Sequence, residues 1–186
     1  MNNKMRLALA VALGFSIAGC ASQNVGDDWN GNTRTGAILT PESPLQCVAY
    51  ARAHSGIKLF GDAYTWWDQA AGKFERAAVP KEGWVMVLDG YSERARAHLA
   101  VVRSLVGSRQ IKIDHANWLN DGAIYVDDPV LDVSAENDWS AVRVWNIRTG
   151  AWGTRTYNVR GFIGPGPEEG EPLPEPDRTT EAISVN

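Results

Sequence analysis

Arg109-Gln110-Ile111-Lys112-Ile113-Asp114-His115-Ala116-Asn117-Trp118 reads as a strand, whose side chains alternate between two faces. Ile111, Ile113, His115 and Asn117 share one face, and the isoleucines mark it as the core side. Lys112 and Asp114 take the other face, which puts Asp114 toward solvent or an edge. A histidine and an asparagine thus point to the interior.

Upstream, Trp84-Val85-Met86-Val87-Leu88 and His98-Leu99-Ala100-Val101-Val102 are rich in β-formers and read as two further strands. The polar, basic residues 89–97 between them form a hairpin loop. His98 then opens its strand near the sheet edge. Downstream, residues 141–147 and 156–163 read as later strands, and the acidic stretch 127–138 as a loop. Toward the N-terminus, Ser43 can cap a helix, Pro44 suits its first position, residues 45–54 are good helix formers and Gly56 can end it. Residues 61–70 read as a loop and a short helix. The predicted fold class is α+β, with N-terminal helices packed on an antiparallel sheet of about five or six strands.

Cys47 falls in the first turn of the predicted helix, where free backbone N–H groups and the helix dipole favour a thiolate. The plainer reading is a small buried hydrophobe. A nucleophile needs a base, and the chain holds three histidines. His54 lies seven residues along the same helix, roughly 10 Å away, too far to reach the sulfur. It is expected to be exposed near the helix end. His98 is the stronger base, with Asn117 or His115 as the group that orients it.

The ends of the chain read differently. Residues 1–6 carry two positive charges, residues 7–18 are an apolar run, and Ile17-Ala18-Gly19-Cys20 places small residues before a cysteine. This has the form of an export signal and resembles a bacterial lipobox. Cleavage would leave Cys20 acylated as the first residue of an outer-membrane lipoprotein facing the periplasm. The apolar run is shorter than the roughly 20 residues that span a bilayer. Residues 20–40 read as a flexible tether. From Gly164 onward six acidic residues face one arginine amid proline and glycine, so residues 164–186 read as a disordered tail. The formal charge is -4, and setting the tail aside leaves residues 41–163 near neutral, so nothing points to nucleic acid and no such partner is expected. A zinc site from Cys47, His98 and His115 is chemically conceivable but lacks local ligand spacing, so neither metal nor cofactor is expected.

The blocks Gln46-Cys47-Val48-Ala49-Tyr50-Ala51, Pro80-Lys81-Glu82-Gly83-Trp84-Val85-Met86-Val87, Ala97-His98-Leu99-Ala100-Val101-Val102 and His115-Ala116-Asn117-Trp118 resemble, in order and spacing, the CHAP domain. That family comprises cysteine, histidine-dependent amidohydrolases and peptidases, distantly related to NlpC-like and papain-like enzymes. The resemblance covers most of residues 43–118. It implies Cys47 as nucleophile, His98 as general base, Asn117 as the polar residue of the third block, and the Cys47 N–H with Gln46 as donors to an oxyanion. It implies peptidoglycan as the amide polymer, cut between glycan and stem peptide or within the peptides. Two positions depart from the family pattern. Ala97 stands for a glycine, and His115 for a glutamate that commonly orients the base. The missing glutamate opens the alternative of a degenerate relative that binds peptidoglycan without cleaving it. An adhesive or purely structural envelope protein would leave the Cys, His, Asn order unexplained. Among the eight tryptophans, Trp66, Trp67 and Trp118 are the candidates for stacking on sugars, against the plainer role of core packing.

Overall fold

The computed structural model describes residues 36–90 and 97–166. The predicted signal segment, the tether up to residue 35, residues 91–96 of the hairpin loop and the tail from residue 167 lie outside the described residues. The elements follow in the order β1 (Ala37–Leu39), α1 (Cys47–His54), a 3-10 turn (Ala63–Thr65), α2 (Trp66–Gln69), β2 (Glu75–Ala77), β3 (Val85–Leu88), β4 (His98–Gly107), β5 (Gln110–Ala116), β6 (Ile124–Asp132), β7 (Ala141–Asn146), β8 (Ala151–Trp152) and β9 (Tyr157–Gly164).

The described residues are mostly antiparallel sheet. Strands pair in the order β6-β5-β4-β3-β9-β7, and β7 pairs back onto β6, so six strands close into a barrel. β1, β2 and β8 add to β6, β9 and β7 from outside the ring. This corrects the α+β expectation: α1 has eight residues and α2 only four. The strand that closes the ring is β6, in the stretch whose acidic residues read as a loop. Two of those acids, Asp128 and Asp132, are buried and hydrogen-bonded instead, while Glu136 and Asp138 lie exposed beyond the strand end. Asp132 accepts from the Ser134 N–H at 2.8 Å and hydroxyl at 2.6 Å, and Asp128 meets His115. A buried carboxylate with such partners does not break a strand.

The strands are apolar on both faces because both faces are covered. Met86 and Leu88 of β3, Ala100 and Val102 of β4, Ile111 and Ile113 of β5, with Val130, Val142, Val144 and Phe162, fill one cluster drawn from all six barrel strands. Val85 and Val87, Leu99 and Val101, and Ala116 point the other way and pack with Tyr50 and Ala51 of α1, Trp66 of α2, and Ile57 and Leu59. Each large side chain so buried contributes about 1.5–3 kcal/mol, which fixes α1 against β4 and β5.

The helix starts later than the sequence predicts. Gln46, not Ser43, stands at the N-cap, because Leu45 is held in an extended contact, its N–H donating to the Gly122 carbonyl at 3.0 Å. Cys47 is therefore the first helical residue. Gly56 ends the helix region as expected, with φ at +71°, a conformation that favours glycine.

Candidate functional site

Cys47 sits at the start of α1, and the helix packs its sulfur-bearing end against the outer face of the barrel. Backbone N–H groups of Leu99, Val48 and Cys47 itself point at the thiol and favour its ionised form, but burial outweighs them and raises it above the ordinary thiol value. The helix start thus does not by itself make a thiolate. The thiol stays protonated at neutral pH and needs a base to activate it. The Leu99 contact places the sulfur beside the residue that follows His98.

His98 is the first residue of β4, paired with Leu88 of β3. β4 lies between β3 and β5 in the closed ring, so His98 stands at a strand end and not at a sheet edge. Its Nε2 lies 2.8 Å from Nδ1 of His115. His115 is fully buried, and its Nε2 lies 3.0 Å from Oδ2 of Asp128, also fully buried. Burial holds both imidazoles neutral. His98 is lowered well below the ordinary histidine value by burial and then by the charge His115 would carry. His115 is lowered to about 3 by burial, against the pull of Asp121. Burial likewise raises Asp128 well above the usual carboxylate range.

The alternation predicted for β5 places His115 correctly and Asp114 wrongly. Asp114 is 1% exposed; it pairs with Arg103 at 3.0 Å and accepts the Asp127 N–H at 2.7 Å. That N–H belongs to a bulge. The β5–β6 register shifts between Ile113 and His115, two residues of β6 opposing one of β5, and Asp127 takes φ +52°. The extra residue lets Tyr125 and Asp128, three apart, face the same side. Tyr125 reaches the His115 ring at a centroid distance of 5.2 Å.

Asn117 follows the end of β5 with φ +60°, and this turn takes its side chain away from the histidines. Its Nδ2 donates to Gln46 Oε1 at 2.8 Å, and its Oδ1 accepts the Gly122 N–H at 2.8 Å. Asn117 therefore grips Gln46, the residue before Cys47, while His115 grips His98. A cavity of about 360 Å³, lined in part by Pro44, Asp121, Gly122 and Arg148, borders the same loop.

The tryptophans separate. Trp66 is fully buried in the outer core, so no sugar can stack on it; the loop-and-helix reading of residues 61–70 holds, but the chain turns this ring inward. The Trp67 ring occupies the space a Cβ on Gly161 would need, with the Arg76 guanidinium over it at 4.8 Å. Trp118 lies edge-on to His98 at 4.9 Å and near His115 at 5.3 Å. Of the three, Trp118 alone adjoins the histidines. His54, expected to be exposed, is half-buried and stacked on Tyr50 at 4.2 Å. Among the described residues no three His, Cys, Asp or Glu side chains converge to hold a metal ion.

Asp128 is the residue of this cluster that sequence reading missed. Strict alternation from Tyr125 turns it to the opposite face, and no local signal marks the bulge.

A family model for the CHAP domain matches residues 39–117. The matched span contains Gln46, Cys47, His98, His115 and Asn117 and ends before Asp128. No curated protein matches the chain. The family is in general one of amidases and peptidases, and the match points to a function like that of peptidoglycan hydrolases.

Proposed function

We propose that the protein is a cell-envelope cysteine hydrolase that cleaves amide bonds of peptidoglycan. The observation that carries this reading is the pairing of His98 with His115 at the strand end, with the backbone of the adjoining Leu99 in contact with the Cys47 thiol. His115 occupies Nε2 of His98, which leaves Nδ1 as the ring nitrogen for proton transfer in this reading. In the proposed reaction His98 takes the proton from Cys47 as the sulfur attacks the amide carbonyl. The thiol begins protonated, so proton removal and attack go together. The Cys47 N–H and the Gln46 amide, held through its oxygen by Asn117, donate to the oxyanion. His98 then protonates the leaving amine, and water releases the acyl group from the thioester. Trp118 offers one wall for the substrate. The glutamate whose absence favours a non-cleaving binder has its place taken by His115, which holds the His98 ring through a 2.8 Å contact to Nε2.

The test is incubation of the chain from Ala21 onward with purified peptidoglycan, with and without prior alkylation of Cys47, and mass spectrometry of the soluble products. Released fragments carrying a new amine or carboxyl, lost on alkylation, are expected. Pelleting on the polymer with no released fragment would replace the hydrolase by a binder.

The lipobox-like residues 17–20 support anchoring at Cys20 in the outer membrane, since several acyl chains together give stable attachment. Full-length protein is expected in the membrane fraction and Cys20→Ala in the soluble fraction. Lipid labelling that survives Cys20→Ala would refute the anchor.

A further inference from the structure

We propose that Asp128 is a positioning residue whose ionised carboxylate fixes the tautomers of His115 and His98, so that His98 presents a bare Nδ1 to Cys47. The catalytic consequence rests on the hydrolase reading, whereas the tautomers themselves do not.

A neutral imidazole has one N–H donor and one acceptor nitrogen. Two such rings and one carboxyl stand in line here, sharing two hydrogens: His98 Nε2 to His115 Nδ1 at 2.8 Å, and His115 Nε2 to Asp128 Oδ2 at 3.0 Å. The direction of one bond therefore dictates the other. An ionised carboxylate can only accept, so His115 donates from Nε2 and must accept at Nδ1. His98 then donates from Nε2, and its Nδ1 is left without a proton. A donor in place of the carboxylate reverses every bond. His115 would give its Nδ1 hydrogen to His98, and His98 would turn an N–H toward the thiol. In that state it could not take the Cys47 proton.

Three features fit Asp128 to this role. Its Oδ1 has no hydrogen-bond partner among the described residues, so the side chain's one polar contact is the one to His115. Tyr125 and Trp118 flank the His115 ring at 5.2 and 5.3 Å and hold it in line. The β6 bulge, pinned by Asp114 through the Asp127 N–H, turns Asp128 to the histidine side. Burial opposes charge on the carboxyl as on both rings, so the charge on Asp128 depends on the hydrogen it accepts from His115, and a protonated carboxyl would reverse the line as any other donor does.

The experiment is nitrogen NMR of the full chain labelled in its histidine rings, at neutral pH, on wild type and Asp128→Asn, with the His54 signals assigned by His54→Gln. In the wild type both His98 and His115 are expected to carry hydrogen on Nε2 and none on Nδ1. In Asp128→Asn, whose amide can donate or accept, this single pattern is expected to give way to mixed or reversed tautomers. Cleavage of peptidoglycan should fall about 10–100-fold in kcat with KM little changed, as for other supporting residues behind a site. Protons on Nδ1 in the wild type would overturn the assignment, even if the variant does not fold. Unchanged tautomers in a folded Asp128→Asn would overturn it as well. A wild type with the expected tautomers but no cleavage of peptidoglycan would sink the hydrolase reading and leave the role of Asp128 standing.

Discussion

Cys47→Ser is expected to lower the rate of amide cleavage by about 10³-fold or more, His98→Ala by a similar factor, and the double variant no further than either alone. Groups that act as one unit lose their joint contribution when any member is removed, so their effects do not multiply. Serine in place of cysteine keeps nearly the same volume, and the surroundings that raise the thiol make a hydroxyl still harder to ionise. His98→Ala removes the imidazole of the residue that adjoins the Leu99 contact to the sulfur. Fragment release from purified peptidoglycan, followed by mass spectrometry, gives the rates, while pelleting on the polymer checks that binding survives. A loss below tenfold for either single variant, or a double variant worse by the product of the two, would mean that the thiol and the imidazole do not share one step.

His115→Ala is expected to cost about 10²–10³-fold in kcat, and Asn117→Ala less than about tenfold. The histidine touches the base at 2.8 Å, so removing it frees the ring and its tautomer, the kind of loss that is large when a base loses its orienting partner. It also leaves Asp128 buried without its partner, which costs stability as well as rate. Thermal unfolding of His115→Ala is therefore to be read beside its kinetics, with His115→Gln as the milder substitution. Asn117 acts through Gln46, the residue before Cys47, and the Gly122 turn, and its loss loosens one donor of the proposed oxyanion site. The reverse order of effects would return the orienting role to Asn117.

Much of the site is readable in the chain without coordinates. Cys47 at a helix start, His98 opening a β-rich run, and His115 on the isoleucine face of β5 all stand where local pattern places them. The strands around them read well because residues such as Val85 to Leu88 are apolar on both faces. The rest depends on contacts distant in sequence. Residues 127–132 read as a loop although they belong to β6, because carboxylates look hydrophilic until their partners are known: Arg109 for Asp132, His115 for Asp128. The choice between Asn117 and His115 turns on a single left-handed residue, which an alternation rule cannot register. The start of α1 is set by a backbone contact between Leu45 and Gly122, so the capping residues Ser43 and Pro44, chemically apt, are passed over. The overall balance of helix and sheet follows from barrel closure, which no single segment announces.

That closure bears on how such a chain behaves at high local concentration. A strand with one side unpaired is a template for another molecule's backbone, and long flat edges invite aggregation. Six strands here spend their backbone groups on one another in a ring, and among the described residues the outlying strands with a free side are β1, β2 and β8, of three, three and two residues. Edges so short give an incoming strand too few hydrogen bonds to hold it. Molecules crowded side by side on one surface would meet as closed bodies and resist growing into a shared sheet.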